Sequence, residues 1–391
     1  MRNWLLPEYI NDLLPPEAER IERLRRRLLD HFHLHGYVLV QPPLLEHLES
    51  LLTGTGHDLD LRTFKVVDQL SGRLLGLRAD ITQQVSRIDA HLLNDEGITR
   101  LCYAGSVLHT RPAGLHQSRE LIQIGAELYG HAGVESDREV LELLLTSLAT
   151  IGIPKVHIDL GHVGVFRALV RSARLASDAE QALFEALQAK DGSVVAALTG
   201  EIEAPWRSAL RLLPQLYGEA SQVLARARRE LPGLPEIVHA LDDLALIAQA
   251  VANQTRELQV DLAELPGYHY QTGVVFAAYA SGEADAIARG GRFDDIGKAF
   301  GRARPATGFT LYPRQLVPLA QTAPSPHAIL APGDTDPALA ALVAELRSQG
   351  EIVVRELPGA PAAARFPECD RRIELRDDGW QVTALPSGAP L

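Results

Sequence analysis

The first part of the chain carries apolar residues at the spacing of a helix that lies on a core. Behind Pro15-Pro16, apolar side chains recur every three or four positions until Gly36, where the pattern stops. These apolar positions are Ile21, Leu24, Leu28, Leu29 and Phe32. The sequence therefore predicts an amphipathic helix that ends at Gly36.

Short apolar runs bounded by Gly, Pro or Ser follow this helix and predict β-strands. They cover residues 37–40, 64–68, 74–78, 100–103, 107–110, 120–129, 156–160, 268–280 and 307–311. Two helices are predicted between these strands. The first covers residues 81–93. The second runs to Ile151 from a capping box in which Ser136 is followed three residues later by Glu139.

Residues 166–264 differ from the rest, because Ala-, Leu-, Glu- and Arg-rich segments with helical spacing replace the strand pattern. Strand character returns afterwards, which predicts one antiparallel sheet interrupted by a helical insertion. The tail from Pro324 has a strand, helix and strand pattern. The predicted fold class is α+β, with a core at 1–165 and 265–322, the helical insertion, and a small C-terminal α/β unit at 323–391.

Composition adds limits to this picture. The 391 residues are 46% hydrophobic, enough for a large core and about two or three domains. No apolar run approaches the roughly 20 residues that span a bilayer, and the start has no apolar secretion signal, so we expect a cytoplasmic protein without membrane contact. Cys102 and Cys369 have no metal-ligand spacing, so we expect no disulfide, no metal and no cofactor.

The net charge of −12, from 38 basic and 50 acidic residues, disfavours binding to tRNA, because a protein that wraps a polyanion needs a basic face. One basic cluster stands out within the first predicted helix. It consists of Arg23, Arg25, Arg26 and Arg27. Charge runs of this kind are usually the solvated face of an amphipathic helix, and we interpret the cluster in that way.

Two segments resemble the substrate site of class II histidyl-tRNA synthetases. They are residues 77–82, Leu-Arg-Ala-Asp-Ile-Thr, and residues 123–127, Gln-Ile-Gly-Ala-Glu. The resemblance spans roughly residues 5–317 and implies a class II synthetase-like antiparallel sheet flanked by helices. It also implies an ammonium site formed by Asp80, Thr82, Gln123 and Glu127. The residue types fit, because a buried ammonium needs several oxygen acceptors and preferably negative charge.

Two further segments resemble the same family. Residues 267–276 are similar to the histidine-specific loop and strand that close the side-chain pocket, which makes Tyr268 and Tyr270 candidate contacts of an imidazole. Alternatively, these tyrosines are paired core aromatics on one strand face. Residues 288–295 resemble a Gly-Gly-Arg-aromatic-Asp turn beside the active site.

The sequence departs from the family where the chemistry takes place. Amino-acid activation needs positive charge aimed at the reacting phosphate and carboxylate. His109 stands at the position of a phosphate-binding arginine, Pro266 at that of a second arginine, and Gln315 at that of the ATP-stacking arginine, unless a one-residue slip brings Arg314 there. Arg111 replaces an acid and is a candidate for binding a carboxylate. We therefore expect a pocket that binds histidine without catalytic residues.

A histidyl-tRNA synthetase-like chain with these losses resembles the regulatory subunits of ATP phosphoribosyltransferase. That resemblance implies a short-form catalytic subunit as partner, L-histidine as effector, and a homodimer inside a hetero-oligomer, with dimer contacts around residues 39–44. Two alternatives stay open. One is a divergent synthetase that activates histidine with ATP, and the other is a histidine-binding or scaffold protein without a phosphoribosyltransferase partner.

Overall fold

The computed structural model describes residues 5–53, 57–112, 118–320, 327–357 and 368–385. The described residues form two compact units. The first lies within Met1–Leu13 and Glu19–Thr322, and the second within Leu14–Ala18 and Ala323–Leu391. In the described parts of the chain, no helix is both long and apolar enough to cross a membrane.

The strands up to residue 322 belong to the first unit. In chain order they are β1 Val38–Leu39, β2 Leu45–His47, β3 Phe64–Val67, β4 Leu74–Leu77, β5 Thr99–Leu108, β6 Glu120–Tyr129, β7 His157–His162, β8 Tyr217–Glu219, β9 Glu257–Asp261, β10 Val274–Tyr279, β11 Ala288–Arg292 and β12 Ala306–Leu311. The accompanying helices are α1 Glu17–Leu34, α2 Leu48–Leu51, α3 His57–Arg62, α4 Thr82–Arg87, α5 Val134–Thr150, α6 Val163–Ser172, α7 Ser177–Gln188, α8 Gly192–Leu198, α9 Trp206–Leu212, α10 Ala220–Glu230, α11 Pro235–Val251 and α12 Pro313–Leu316.

Nine of the described strands form one sheet, in the order β1, β5, β6, β12, β11, β10, β7, β9, β8. Neighbouring strands are antiparallel, except that β1 is parallel to β5 and β7 is parallel to β9. A separate three-stranded sheet has the order β2, β4, β3. The predicted α+β class, a class II synthetase-like sheet flanked by helices, is confirmed.

Helices α1 and α5 cover the large sheet with the apolar faces that their spacing predicts. Helix α1 buries Ile21, Leu24, Leu28 and Phe32, and Leu29 is only half-buried. The Phe32 ring packs edge-to-face on Phe309 of β12, with centroids 5.8 Å apart. Burial of an apolar side chain of this size contributes about 1.5–3 kcal/mol, so this face holds the helix in place.

The predicted capping box before α5 is wrong. The helix begins at Val134 after Gly133, so Ser136 lies inside its first turn and makes no cap hydrogen bond. The Ser136 hydroxyl donates to the carbonyl oxygens of Gly133 and His131 instead. Tertiary contacts therefore set the start of the helix three residues earlier than a cap at Ser136 would place it.

The predicted Gly-Gly turn is also wrong, because residues 288–292 form β11 in the middle of the large sheet. A Cβ atom on Gly290 would lie 2.4 Å from the Phe276 ring and 2.4 Å from the Gly308 carbonyl oxygen. Glycine here allows close packing inside a strand. Two adjacent glycines are typical of a turn, but here they lie within β11 and allow neighbouring strands to approach closely.

Other local predictions are corrected in smaller ways. The strands predicted at 100–103 and 107–110 are one strand, β5, which ends at Leu108 and pairs with β6 along its whole length. The helix predicted at 81–93 divides into α4 and a π-helical segment, Ile88–Leu93. The stretch expected to be a purely helical insertion also contributes β8 and β9 to the large sheet.

The second unit contains a four-stranded sheet and one helix among its described residues. In chain order these elements are β13 Ala328–Ala331, α13 Pro337–Ser348, β14 Val353–Arg355, β15 Cys369–Arg376 and β16 Gly379–Ala384. The sheet order is β14, β13, β15, β16. Leu339 and Val343 of α13 pack with buried Ile329 and Ile373. The hairpin of β15 and β16 extends the predicted strand, helix and strand pattern.

Candidate functional site

A cavity of about 510 Å³ lies within the first unit, in the size range of small-molecule sites. Residues of β6, β11 and β12, of α3, α7 and α12, and of the start of α4 line it. The segment 266–271 contributes a further part of the wall. The cavity therefore joins the segments that resemble the synthetase substrate site.

The predicted ammonium residues lie together at this cavity. Asp80 and Thr82 line it, and Gln123 donates from Nε2 to Asp80 Oδ2 over 3.0 Å. The other end of the Gln123 amide accepts from the backbone N–H of Ile81 over 3.1 Å, and Asp80 Oδ1 accepts from the backbone N–H of Thr82 over 2.8 Å. Gln123 thus holds the Asp80 carboxylate in position from β6, without lining the cavity itself.

Glu127 is the most buried carboxylate of this group, with 1% of its surface exposed. It lines the cavity and accepts a hydrogen bond from the hydroxyl of Tyr129. Burial raises the pKa of Glu127 to about 8, and the nearby Asp80 charge adds to the rise, although the hydroxyls of Tyr129, Thr82 and Tyr103 oppose it. A cationic ligand would supply the countercharge that this carboxylate lacks.

Tyr268 and Tyr270 both line the cavity but are held differently. Tyr268 is buried, stacks on Phe184 of α7, and donates from its hydroxyl to Glu180 over 2.5 Å. Tyr270 is 41% exposed. Gly267 has a φ of +72°, and its missing Cβ leaves room for the Tyr270 ring. Of the two tyrosines, Tyr270 has the hydroxyl that is better placed to meet a ligand.

The positions that lack the synthetase arginines also face the cavity. Pro266, Gln315 and His109 all line it. His109 Nε2 lies 2.9 Å from the carbonyl oxygen of Ala79 and must donate to it, since a carbonyl only accepts. Burial lowers the pKa of His109, and the nearby positive charge of Arg62 acts in the same direction. A neutral imidazole with its N–H already used cannot replace a phosphate-binding guanidinium.

Two arginines that the sequence analysis did not select stand at the cavity instead of Arg111. Arg111 is exposed and is not among the described lining residues, so its predicted role stays a prediction. Arg62, the last residue of α3, and Arg289, on β11, do line the cavity. No local sequence signal marks Arg62, because only the fold brings the end of α3 to this cavity.

Arg292 of the Gly-Gly-Arg-aromatic-Asp segment is buried and engaged with the start of α5. It donates to Asp137 Oδ2 over 2.9 Å from Nη2 and to Ser136 Oγ over 2.8 Å. Burial acts to lower the pKa of Arg292, but the charges of Asp137 and Asp294 outweigh it and raise the pKa above its ordinary value. The arginine of this segment therefore anchors a helix to the sheet.

The basic cluster in α1 is largely neutralised within its own helix. Arg23 pairs with Glu19, while Arg25 and Arg26 both pair with Glu22 over 2.7 and 2.8 Å. These pairs leave little free positive charge for a polyanion. Within the ranges that the structure describes, no group of three or more His, Cys, Asp or Glu side chains is arranged to hold a metal ion.

Comparison with known proteins places the chain beside two related groups. Residues 9–316 match the family model described as histidyl-tRNA synthetase, and residues 326–383 match the ATP phosphoribosyltransferase subunit HisZ C-terminal domain. The ATP phosphoribosyltransferase regulatory subunit of Ralstonia nicotianae is 55% identical over 389 residues, which covers 100% of both chains.

Solved structures agree with this placement. A Bacillus halodurans protein titled ATP phosphoribosyltransferase regulatory subunit/histidyl-tRNA synthetase has a TM-score of 0.81 at 26% identity, covering 92% of this chain and 94% of its own. Histidyl-tRNA synthetase from Nostoc has a TM-score of 0.80 at 17% identity, covering 99% and 96%. At that identity the second likeness concerns the fold alone.

Proposed function

The chain belongs to the family of ATP phosphoribosyltransferase regulatory subunits, and we propose that it is the non-catalytic partner of a short-form catalytic subunit. In this proposal the chain activates that subunit, which condenses ATP with phosphoribosyl pyrophosphate in the first step of L-histidine biosynthesis. L-histidine bound in the cavity relays feedback inhibition. The complex works in the cytoplasm, without tRNA and without a membrane.

One observation carries the proposal: the cavity keeps the acceptors for an ammonium and lacks the charges for adenylation. Asp80 supplies negative charge at the cavity and Glu127 supplies a carboxyl group that a bound ammonium would ionise, whereas Pro266 and a neutral His109 occupy two of the arginine positions. Each missing transition-state donor costs roughly two or more powers of ten in rate. A cavity of this kind holds histidine without activating it.

Feedback follows from linkage. If histidine binds more tightly to an inactive arrangement of the complex, histidine shifts the complex toward that arrangement, and the active arrangement weakens histidine binding by the same factor. The segment 266–271 connects the cavity to α7, because Tyr268 of the cavity wall stacks on Phe184 of that helix.

We also propose a homodimer inside the hetero-oligomer, with contacts around β1. Val38 and Leu39 form this strand at the edge of the large sheet and are 63% and 45% exposed. Leu44 and Leu45 nearby are also exposed. An apolar edge strand left open would invite pairing with other chains, and a second copy would cover it. A monomer mass in light scattering would contradict the homodimer.

The decisive experiment measures phosphoribosyl-ATP formation by a short-form catalytic subunit, with and without this protein, across a histidine titration. We expect activation that histidine reverses. Glu127→Ala should raise the histidine concentration for half inhibition about ten- to a hundredfold, since a hydrogen bond to a charged group is worth about 1.5–3 kcal/mol. Glu120→Ala is the matched control, because Glu120 is exposed on the same strand.

Other outcomes would favour the alternatives. If the chain had no effect on rate or inhibition, histidine-dependent exchange of pyrophosphate into ATP would test a divergent synthetase. If neither reaction occurred and no catalytic subunit co-purified, a stand-alone histidine-binding protein would remain.

A further inference from the structure

We propose that Arg62, at the end of α3, binds the α-carboxylate of the ligand. Arg62 would thereby replace the synthetase arginine, at whose position this chain has Pro266. This inference rests on the proposed function, because it assumes an amino-acid ligand. An amino acid carries its carboxylate on the same carbon as its ammonium. The cationic group that binds the carboxylate must therefore stand close to the Asp80 and Glu127 side of the cavity.

The position of Arg62 meets this requirement. Arg62 lines the cavity, and its carbonyl oxygen accepts from the backbone N–H of Thr110 over 2.9 Å. Thr63 next to it forms an antiparallel bridge with His109. The backbone of the arginine is thus tied to the segment that follows β5, which fixes where its side chain leaves the main chain.

Electrostatics places the Arg62 charge near Asp80. His109, Tyr270 and Tyr312 each feel both the positive charge of Arg62 and the negative charge of Asp80. Tyr312 also lies 3.4 Å from Gln123 Nε2, which donates to its hydroxyl and holds Asp80 as well. One side of the cavity is therefore negative and a neighbouring part is positive, as a zwitterionic ligand needs.

Within the described part of the chain, the Arg62 guanidinium is also available to bind a ligand. Among the described residues, no side chain forms an ion pair or a hydrogen bond with its guanidinium. Arg289 differs, because its positive charge acts on Tyr279 and Glu264, where it opposes the rise in pKa that burial causes. A guanidinium binds a carboxylate through two parallel N–H donors, so an unengaged one on the cavity wall has a defined use.

The test measures binding of L-histidine and of L-histidinol to the full chain by calorimetry. Histidinol keeps the ammonium and the imidazole but replaces the carboxylate with a hydroxymethyl group. Arg62→Ala should weaken histidine binding about ten- to a hundredfold and leave histidinol binding within about twofold. Arg62→Lys should restore part of the loss, because it keeps the charge without the paired donors.

Arg138→Ala is the control, since Arg138 is an exposed arginine of α5 that is not among the residues lining the cavity. It should change neither affinity. An equal loss for both ligands, or no loss for histidine, would overturn the role of Arg62. Failure of the unmodified chain to bind histidine would overturn it too, whereas binding without any effect on phosphoribosyl-ATP formation would overturn only the proposed function.

Discussion

Binding of histidine should release a proton from Glu127, which makes the affinity depend on pH. In the free protein, burial raises the pKa of Glu127 to about 8, so about nine-tenths of the molecules hold it protonated at pH 7 and about half at pH 8. A bound ammonium can only donate and favours the ionised carboxylate. Affinity should therefore rise about fivefold from pH 7 to pH 8, since the ionised fraction rises by that factor.

Calorimetry in two buffers of different ionisation enthalpy would measure this coupling. At pH 7 we expect about 0.9 proton released for each histidine bound, from the protonated fraction above. Glu127→Gln keeps the shape and removes the titration, so it should bind histidine more weakly and without the Glu127-linked release of protons. Equal affinity at pH 7 and pH 8 in the unmodified protein, with no proton released, would refute the reasoning.

Three further predictions concern stability and the cavity wall. Because the folded-state pKa of Glu127 lies above its ordinary value, the stability from this group is greatest at low pH and falls between about pH 4.5 and 8. In urea unfolding, Glu127→Gln should reduce that fall by as much as about 4 kcal/mol, and the same pH dependence of the unfolding free energy in both proteins would contradict this. Arg292→Met should destabilise the fold by about 3–5 kcal/mol, because it leaves the Asp137 carboxylate buried without its partner. An unchanged denaturation midpoint would contradict the role of Arg292 in holding α5 to the sheet. Tyr270→Phe should weaken histidine binding several-fold in calorimetry. Tyr268→Phe should leave histidine binding nearly unchanged and lower stability by about 1 kcal/mol, because the Tyr268 hydroxyl is bound to Glu180. A larger loss of histidine binding in Tyr268→Phe than in Tyr270→Phe would show that Tyr268 contacts the ligand.

Local patterns predicted the elements whose residues have one dominant preference. The apolar spacing of α1 defined the face that lies on the core, since helical periodicity brings Ile21, Leu24 and Leu28 to one side in any fold. Strand β6 was predicted with the same bounds that the structure has, Glu120–Tyr129. Asp80 and Gln123 were placed together by family resemblance, and their hydrogen bond brings them within 3.0 Å. Whether they bind an ammonium is still a prediction.

Other features depend on contacts between distant segments, which no local pattern contains. Residues 288–292 became a central strand because Gly290 lets Phe276 and Gly308 approach, so two glycines did not make a turn. Helix α5 starts early because Arg292 of β11 donates to the Gly133 carbonyl oxygen and the Asp137 carboxylate at its first turn.

The positions of the charged side chains around the cavity also depend on contacts between distant segments. The sequence by itself indicated, through the family resemblance, that position 266 has proline in place of a synthetase arginine and that acidic residues stand at the ammonium positions. It selected Arg111 as a candidate for binding a carboxylate, because the family resemblance places this arginine where the synthetase has an acid. Only the tertiary structure brought Arg62 from the end of α3 to the cavity wall and left Arg111 outside the described lining, since the pairing of Thr63 with His109 sets which of the two side chains faces the cavity.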